Sequence, residues 1–142
     1  MIKVAVTMPA EVGDAAEFLA DVRALEAAGA EMIGLEGDGV EQSVMFGAIA
    51  AVTHRIKLRL PNLELESVMH RLSRGRSVVG DPAGETWVAI AMPANRELWA
   101  NMIREQEAAG AIGVIVAWDP RLIDLLRNPE PDDRSDLLMS TG

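Results

Sequence analysis

The chain has 142 residues and a mass of 15.3 kDa, enough for one domain with a real core but short of the roughly 250 residues of a closed eight-stranded α/β barrel. Hydrophobic residues make up 49% and charged residues 25%, a globular profile, and no apolar run reaches the roughly 20 residues of a membrane span. The net charge of −9 sets a field that repels nucleic-acid phosphates and anionic lipid, and the absence of cysteine excludes disulfides and thiolate metal sites. A cytoplasmic protein is expected, with no nucleic-acid partner, no membrane partner and no signal peptide at its start.

Residues 2–8 are β-branched and stopped by Pro9, which predicts a buried strand. Asp14 stands at a helix N-cap with Glu17 three residues on, as in a capping box. Phe18, Leu19, Val22 and Leu25 then share one helical face, and Gly29 ends the helix. Residues 32–35 form the next strand and residues 36–39 its loop. This is a βαβ unit, so the two strands are expected to be parallel. A second helix is predicted from residue 41 or 42 to about 52, and a third strand at 56–60 before Pro61. Residues 63–72 read as a helix with Leu65, Val68, Met69 and Leu72 on one stripe. Residues 77–80 and 86–92 read as strands flanking a turn at 81–84. Pro82 at its second place and Gly84 at its fourth favour type I, so this stretch is either a hairpin or two separate strands. A helix at 95–109 ended by Gly110, a strand at 114–117, a short helix capped by Asp119 and running to 126, a loop at 128–133 and a short strand at 136–139 complete the pattern.

The beginning recurs later. Val4-Ala5-Val6-Thr7-Met8-Pro9 is echoed by Val88-Ala89-Ile90-Ala91-Met92-Pro93, and Glu26-Ala27-Ala28-Gly29-Ala30 by Glu107-Ala108-Ala109-Gly110-Ala111. Repeated βα units build α/β barrels and wound sheets. The expected fold class is α/β, a partial or reduced TIM-barrel-like arrangement with mostly parallel strands. Residues 1–142 form one domain, with βα units over 1–84 and a repeat-like half over 85–142.

Four segments carry a family resemblance. Residues 25–33 pair a Leu-Glu-Ala-Ala-Gly-Ala helix end with a strand. Residues 46–58 run an Ala-rich helix through Thr53-His54-Arg55-Ile56 into strand three. Leu72-Ser73-Arg74-Gly75-Arg76 enters strand four, and residues 2–8 fit strand one. Together they resemble the bacterial luciferase-like family of flavin- or deazaflavin-dependent monooxygenases, over roughly residues 1–84. The resemblance implies an oxidoreductase that binds flavin mononucleotide (FMN) or F420 at the C-terminal ends of the strands, where barrel enzymes place their chemistry. Two features depart from the family. Its acid–His pair after strand two is here Glu36-Gly37-Asp38, without histidine. Its small residues at the end of strand three are here Arg59 and Leu60.

The resemblance points to Thr7, Glu36, Asp38 and Arg59 as cofactor or substrate contacts. Glu36 and Asp38 follow a strand end, where a carboxylate can act as a base or orient a ligand; the other reading is a solvated acidic turn. Arg59 either turns inward, where its guanidinium can pair a phosphate but occupies part of the pocket, or turns outward to solvent. Trp118, at a strand end, either stacks on an aromatic substrate or packs in the core. His54 and His70 lack metal-ligand spacing, so no metal is expected. Gly34, Gly37 and Gly39 are not a dinucleotide fingerprint, on the expectation that no helix opens at the required glycine. The competing reading is a non-catalytic part-barrel, an accessory or structural subunit. A small-molecule ligand and a homo-oligomer are the expected partners, since a parallel sheet too short to close leaves edges and an apolar interior.

Overall fold

The computed structural model describes residues 1–9 and 11–128. The order is β1 (Lys3–Met8), α1 (Ala15–Ala28), β2 (Met32–Leu35), α2 (Gly39–Val52), β3 (Lys57–Leu60), a single 3-10 turn (Leu63–Leu65), α3 (Glu66–Leu72), β4 (Ser77–Val79), β5 (Trp87–Ala89), α4 (Arg96–Ala108), β6 (Gly113–Ala117) and α5 (Arg121–Arg127). The strand expected at 136–139, and the loop beyond Asn128, lie outside the described residues.

Local chemistry explains most boundaries. The Asp14 carboxylate accepts from the backbone N–H groups of Ala16 and Glu17 and so caps α1. Gly29 at φ 101° and Gly110 at φ 91° take the left-handed turns after α1 and α4. The Asn95 side chain accepts from Leu98 N–H and opens α4.

The six strands among the described residues are all parallel, in the order β4-β3-β2-β1-β6-β5, and the sheet curls into a half-barrel. The fold is therefore the partial-barrel α/β arrangement expected from the repeat. Both echoed segments form βαβ units with adjacent parallel strands, β1–α1–β2 and β5–α4–β6. The side chains of Val4, Val6, Met8, Ile33, Leu58, Leu60, Val114 and Val116 enter one core with Phe18 and Leu25 of α1, Phe46 and Ile49 of α2, Met69 of α3, Trp99 of α4 and Leu122 of α5. The five helices among the described residues thus cover the same face, the convex one. The alternate residues Ala5, Met32 and Trp87 form a second, small core with Val78 and Ile115 on the concave face.

The hairpin alternative at residues 77–92 is corrected. β4 and β5 are the two opposite edges of the sheet. Residues 80–86 stretch at most about 27 Å, and the edges of a flat six-stranded sheet lie about 24 Å apart. The link must also return from the C-terminal end of β4 to the N-terminal end of β5. That reach demands a curled sheet, and the sharing of one small core by Val78 and Trp87 shows the curl. The turn sits one residue later than expected: Glu85 N–H bonds Pro82 C=O at 3.1 Å, and Gly84 has φ 81° at the third place. Three further boundaries differ. The helix expected at 63–72 starts as the 3-10 turn, because the Asn62 side chain caps Glu64 N–H first, and Val68 and Leu72 are exposed while Met69 is buried. α2 opens earlier, at Gly39, and β5 stops at Ala89.

Candidate functional site

The C-terminal ends of β1, β2 and β3 bring two predicted positions, Thr7 and Arg59, to either side of Gly34. On the concave face Thr7 is in register with Gly34 on one side and Ala117 on the other, and Arg59 with Val78. Gly34 lies beside Arg59, since a Cβ there would stand 3.6 Å from Arg59 O and 3.9 Å from its Cβ. Gly34 thus stands between Thr7 and Arg59 in this row and adds no side chain of its own. Of the two orientations open for Arg59, the inward one is found: Leu58 and Leu60 are buried toward the helices, and strand alternation sends Arg59 the other way. Its Nη2 donates to Asp81 Oδ1 at 2.7 Å, which ties β3 to the link after β4. Its Nε–H is buried and has no hydrogen-bond partner among the described residues.

Glu36 and Asp38 lie next to this row, on the β2–α2 loop. Gly37 at φ 83° and Gly39 at φ 81° bend the loop, and the buried Gln42 fixes it by donating Nε2 to Leu35 O at 3.1 Å and Gly37 O at 2.6 Å. Both acids are exposed, neither forms an ion pair among the described residues, and the Asp38 side chain makes no cap bond to α2. They border a cleft of about 230 Å3 with Pro9, Glu11, Val12 and Met45. A groove of about 610 Å3 between α2 and the residues after β3 follows, with Val40, Val44, Pro61 and Leu65 in its walls. α2 does open at Gly39, contrary to expectation, but Gly34, Gly37 and Gly39 come in the reverse of the fingerprint spacing.

Trp118 is half-buried and packs against the convex-side core, and its backbone N–H donates to Thr7 O at 2.9 Å. It does not join Arg59 and Gly34 on the concave face. Beyond it Arg121 binds Asp119 through both carboxylate oxygens at 3.0 Å and Ala94 O at 2.7 Å. The Arg121 hydrogen bonds hold the Asp119 carboxyl below its ordinary value. Among the described residues no cluster of three or more His, Asp or Glu side chains can hold a metal ion. No described helix is long and apolar enough to cross a membrane.

The opposite end of the sheet carries residues whose weight the sequence reading did not register. Glu26 Oε2 accepts from the backbone N–H groups of His54, Arg55 and Ile56 at 2.7–2.9 Å. Burial pushes this carboxyl up, but the three amides and the His54 charge outweigh it and leave it below the usual carboxylate range. Arg76 donates to the carbonyls of Ala50, Thr53, Ile56 and Ser73 and to the Thr53 hydroxyl.

Compared with protein-family models, with curated proteins and with solved structures, the chain finds no match.

Proposed function

We propose that the chain is a flavin- or deazaflavin-binding oxidoreductase of the luciferase-like kind, possessing monooxygenase chemistry, with its ligand at the C-terminal rim of the half-barrel. The observation that supports this is the Arg59 Nε–H, buried and without a partner among the described residues, on the strand beside Gly34. An unmet buried donor costs about 1–3 kcal/mol, which a ligand oxygen would relieve. The donor set fits an oxygen-rich ligand: Arg59 supplies a charged donor, and Thr7 a hydroxyl that can donate or accept. Glu36 and Asp38, on the adjoining β2–α2 loop, can orient ring N–H groups or hold a proton. A bound flavin or deazaflavin would supply the redox chemistry, while these residues position it and exclude water.

The test is thermal unfolding of the purified protein with FMN and with F420, beside the Arg59→Ala variant. A midpoint raised by one of them, with the rise largely lost in Arg59→Ala, is the expected result. No rise with either ligand overturns the reading.

A second reading, a non-catalytic part-barrel that associates with itself, is favoured by Val40, Val44 and Leu63, which are exposed at 81%, 63% and 69% around the α2 groove. Sedimentation then gives a dimer at micromolar concentration; a clean 15.3 kDa monomer refutes it.

A further inference from the structure

The N-terminal end of the sheet holds a pocket distinct from the rim, of about 390 Å3, within the range of roughly 300–1,000 Å3 typical of ligand cavities. Its walls are Ile2, Val4, Trp99, Ile103, Leu125 and Leu126, contributed by β1, α4 and α5. Trp99 is almost wholly buried, while Ile103 and Leu126 are half-buried and turn apolar surface into the opening. At the mouth the chemistry changes. Lys3 and Glu31 line it, and the same Glu31 Oε1 stands 3.7 Å from Lys3 Nζ and 3.4 Å from Lys57 Nζ. Two ammonium groups therefore share one carboxylate, which leaves the mouth, where Met1 also stands, locally positive on a chain whose net charge is −9. Both contacts are long and partly exposed, so Lys3 gives up little by turning to another anion.

We infer that this pocket binds an apolar monocarboxylate, with its hydrocarbon part among Trp99, Ile103 and Leu126 and its carboxylate on Lys3. The charge argument selects an anionic head group: Lys3 and Lys57 outnumber Glu31 at the mouth. The wall argument selects hydrocarbon, because all six wall side chains are apolar apart from the indole N–H. The site shares no residue with the rim, so the result bears on this inference and leaves the rim reading untouched.

Trp99 is a built-in reporter. Bromine quenches indole fluorescence on contact, so titration of the full chain with ω-bromoundecanoate tests the pocket directly. The expected result is saturable quenching that disappears in Trp99→Phe while calorimetry still shows the acid binding. Lys3→Glu should weaken the acid about five- to tenfold, the size of one partly exposed charged contact, and leave the matching ω-bromo alcohol unchanged. Ile103→Glu should abolish binding, and Leu126→Gln serves the same purpose should the first variant fail to fold. Three results overturn the inference: no quenching up to the acid's micelle threshold, equal affinity in Lys3→Glu, or equal affinity in the wall variants. Absence of quenching together with a dimer that Ile103→Glu dissociates would assign the pocket to a second copy, and so would also overturn it.

Discussion

The two ends of the half-barrel are built on opposite plans. At the N-terminal end, Glu26 takes up three backbone N–H groups and Arg76 satisfies four carbonyls and a hydroxyl, so the turn from α2 to β3 is fastened from both sides. At the C-terminal end, Glu36 and Asp38 stand exposed without ion pairs among the described residues, and Arg59 keeps a buried donor unused. The α2–β3 turn spends its polar groups on the fold; the β2–α2 loop leaves two of them available. Barrels commonly divide labour this way, with stability at the bottom and chemistry at the top.

This division explains what the family resemblance carries. Two of its segments, residues 46–58 and 72–76, contribute most of the Arg76 network, since Ala50, Thr53, Ile56 and Ser73 accept its bonds. Those residue types are what any βα unit needs to end a helix and enter a strand under an arginine staple. The likeness there reports how the chain folds, and the rim, where it departs, must speak for function by itself.

The comparison breaks first at Arg76. Arg76→Leu should destabilise by about 3 kcal/mol or more in urea unfolding, because several carbonyls lose their donors at once. A loss below about 1 kcal/mol would mean that water replaces the guanidinium without penalty. Next comes Gly113, at the same end. The Trp87 ring lies over it, and a Cβ would come within 2.3–2.7 Å of three ring carbons. Gly113→Ala should therefore cost about 1–3 kcal/mol and change Trp87 fluorescence; an unchanged midpoint would show that the ring moves freely.

Glu26→Gln should cost about 1–2 kcal/mol at neutral pH, since an amide oxygen accepts three N–H groups less well than a carboxylate. The sign with pH follows from the lowered carboxyl. Folding favours the ionised form, so the stabilisation is complete above the unfolded value of roughly 4.3 and is lost as pH falls through the lower folded value. The gap between the native protein and Glu26→Gln should therefore close below about pH 4. A gap that stays constant down to pH 2 contradicts the assignment. The smallest effect on stability belongs to the rim: Glu36→Gln with Asp38→Asn should shift it by less than about 0.5 kcal/mol, while weakening the ligand that raises the midpoint. An unchanged ligand affinity would return both acids to a solvated turn.

The elements that local chemistry dictates were legible in the sequence. The Asp14 cap, the Gly29 stop, the strand at 32–35 and the repeated βαβ units need only neighbouring residues to declare themselves. The separation of β4 from β5 was not legible, because Pro82 and Gly84 make a turn in either topology and only the curl of the sheet decides which. The inward side of Arg59 followed from alternation once β3 was placed, but its tie to Asp81 needed the link after β4 to pass close by. Glu26 and Arg76 gave no sign of their roles, since an acid in a helix and an arginine before a strand are ordinary until the turn at 53–56 folds between them.

The most direct test of the two-ended plan is native-state hydrogen exchange read residue by residue. The amides of Arg55 and Ile56, held by Glu26, should exchange only through global unfolding, with protection equal to that of the β1 amides, whereas the amides of Gly37 and Asp38 should exchange through local opening at far lower free energy. Equal protection at the two ends, or faster exchange at 55–56 than at 37–38, would contradict the account.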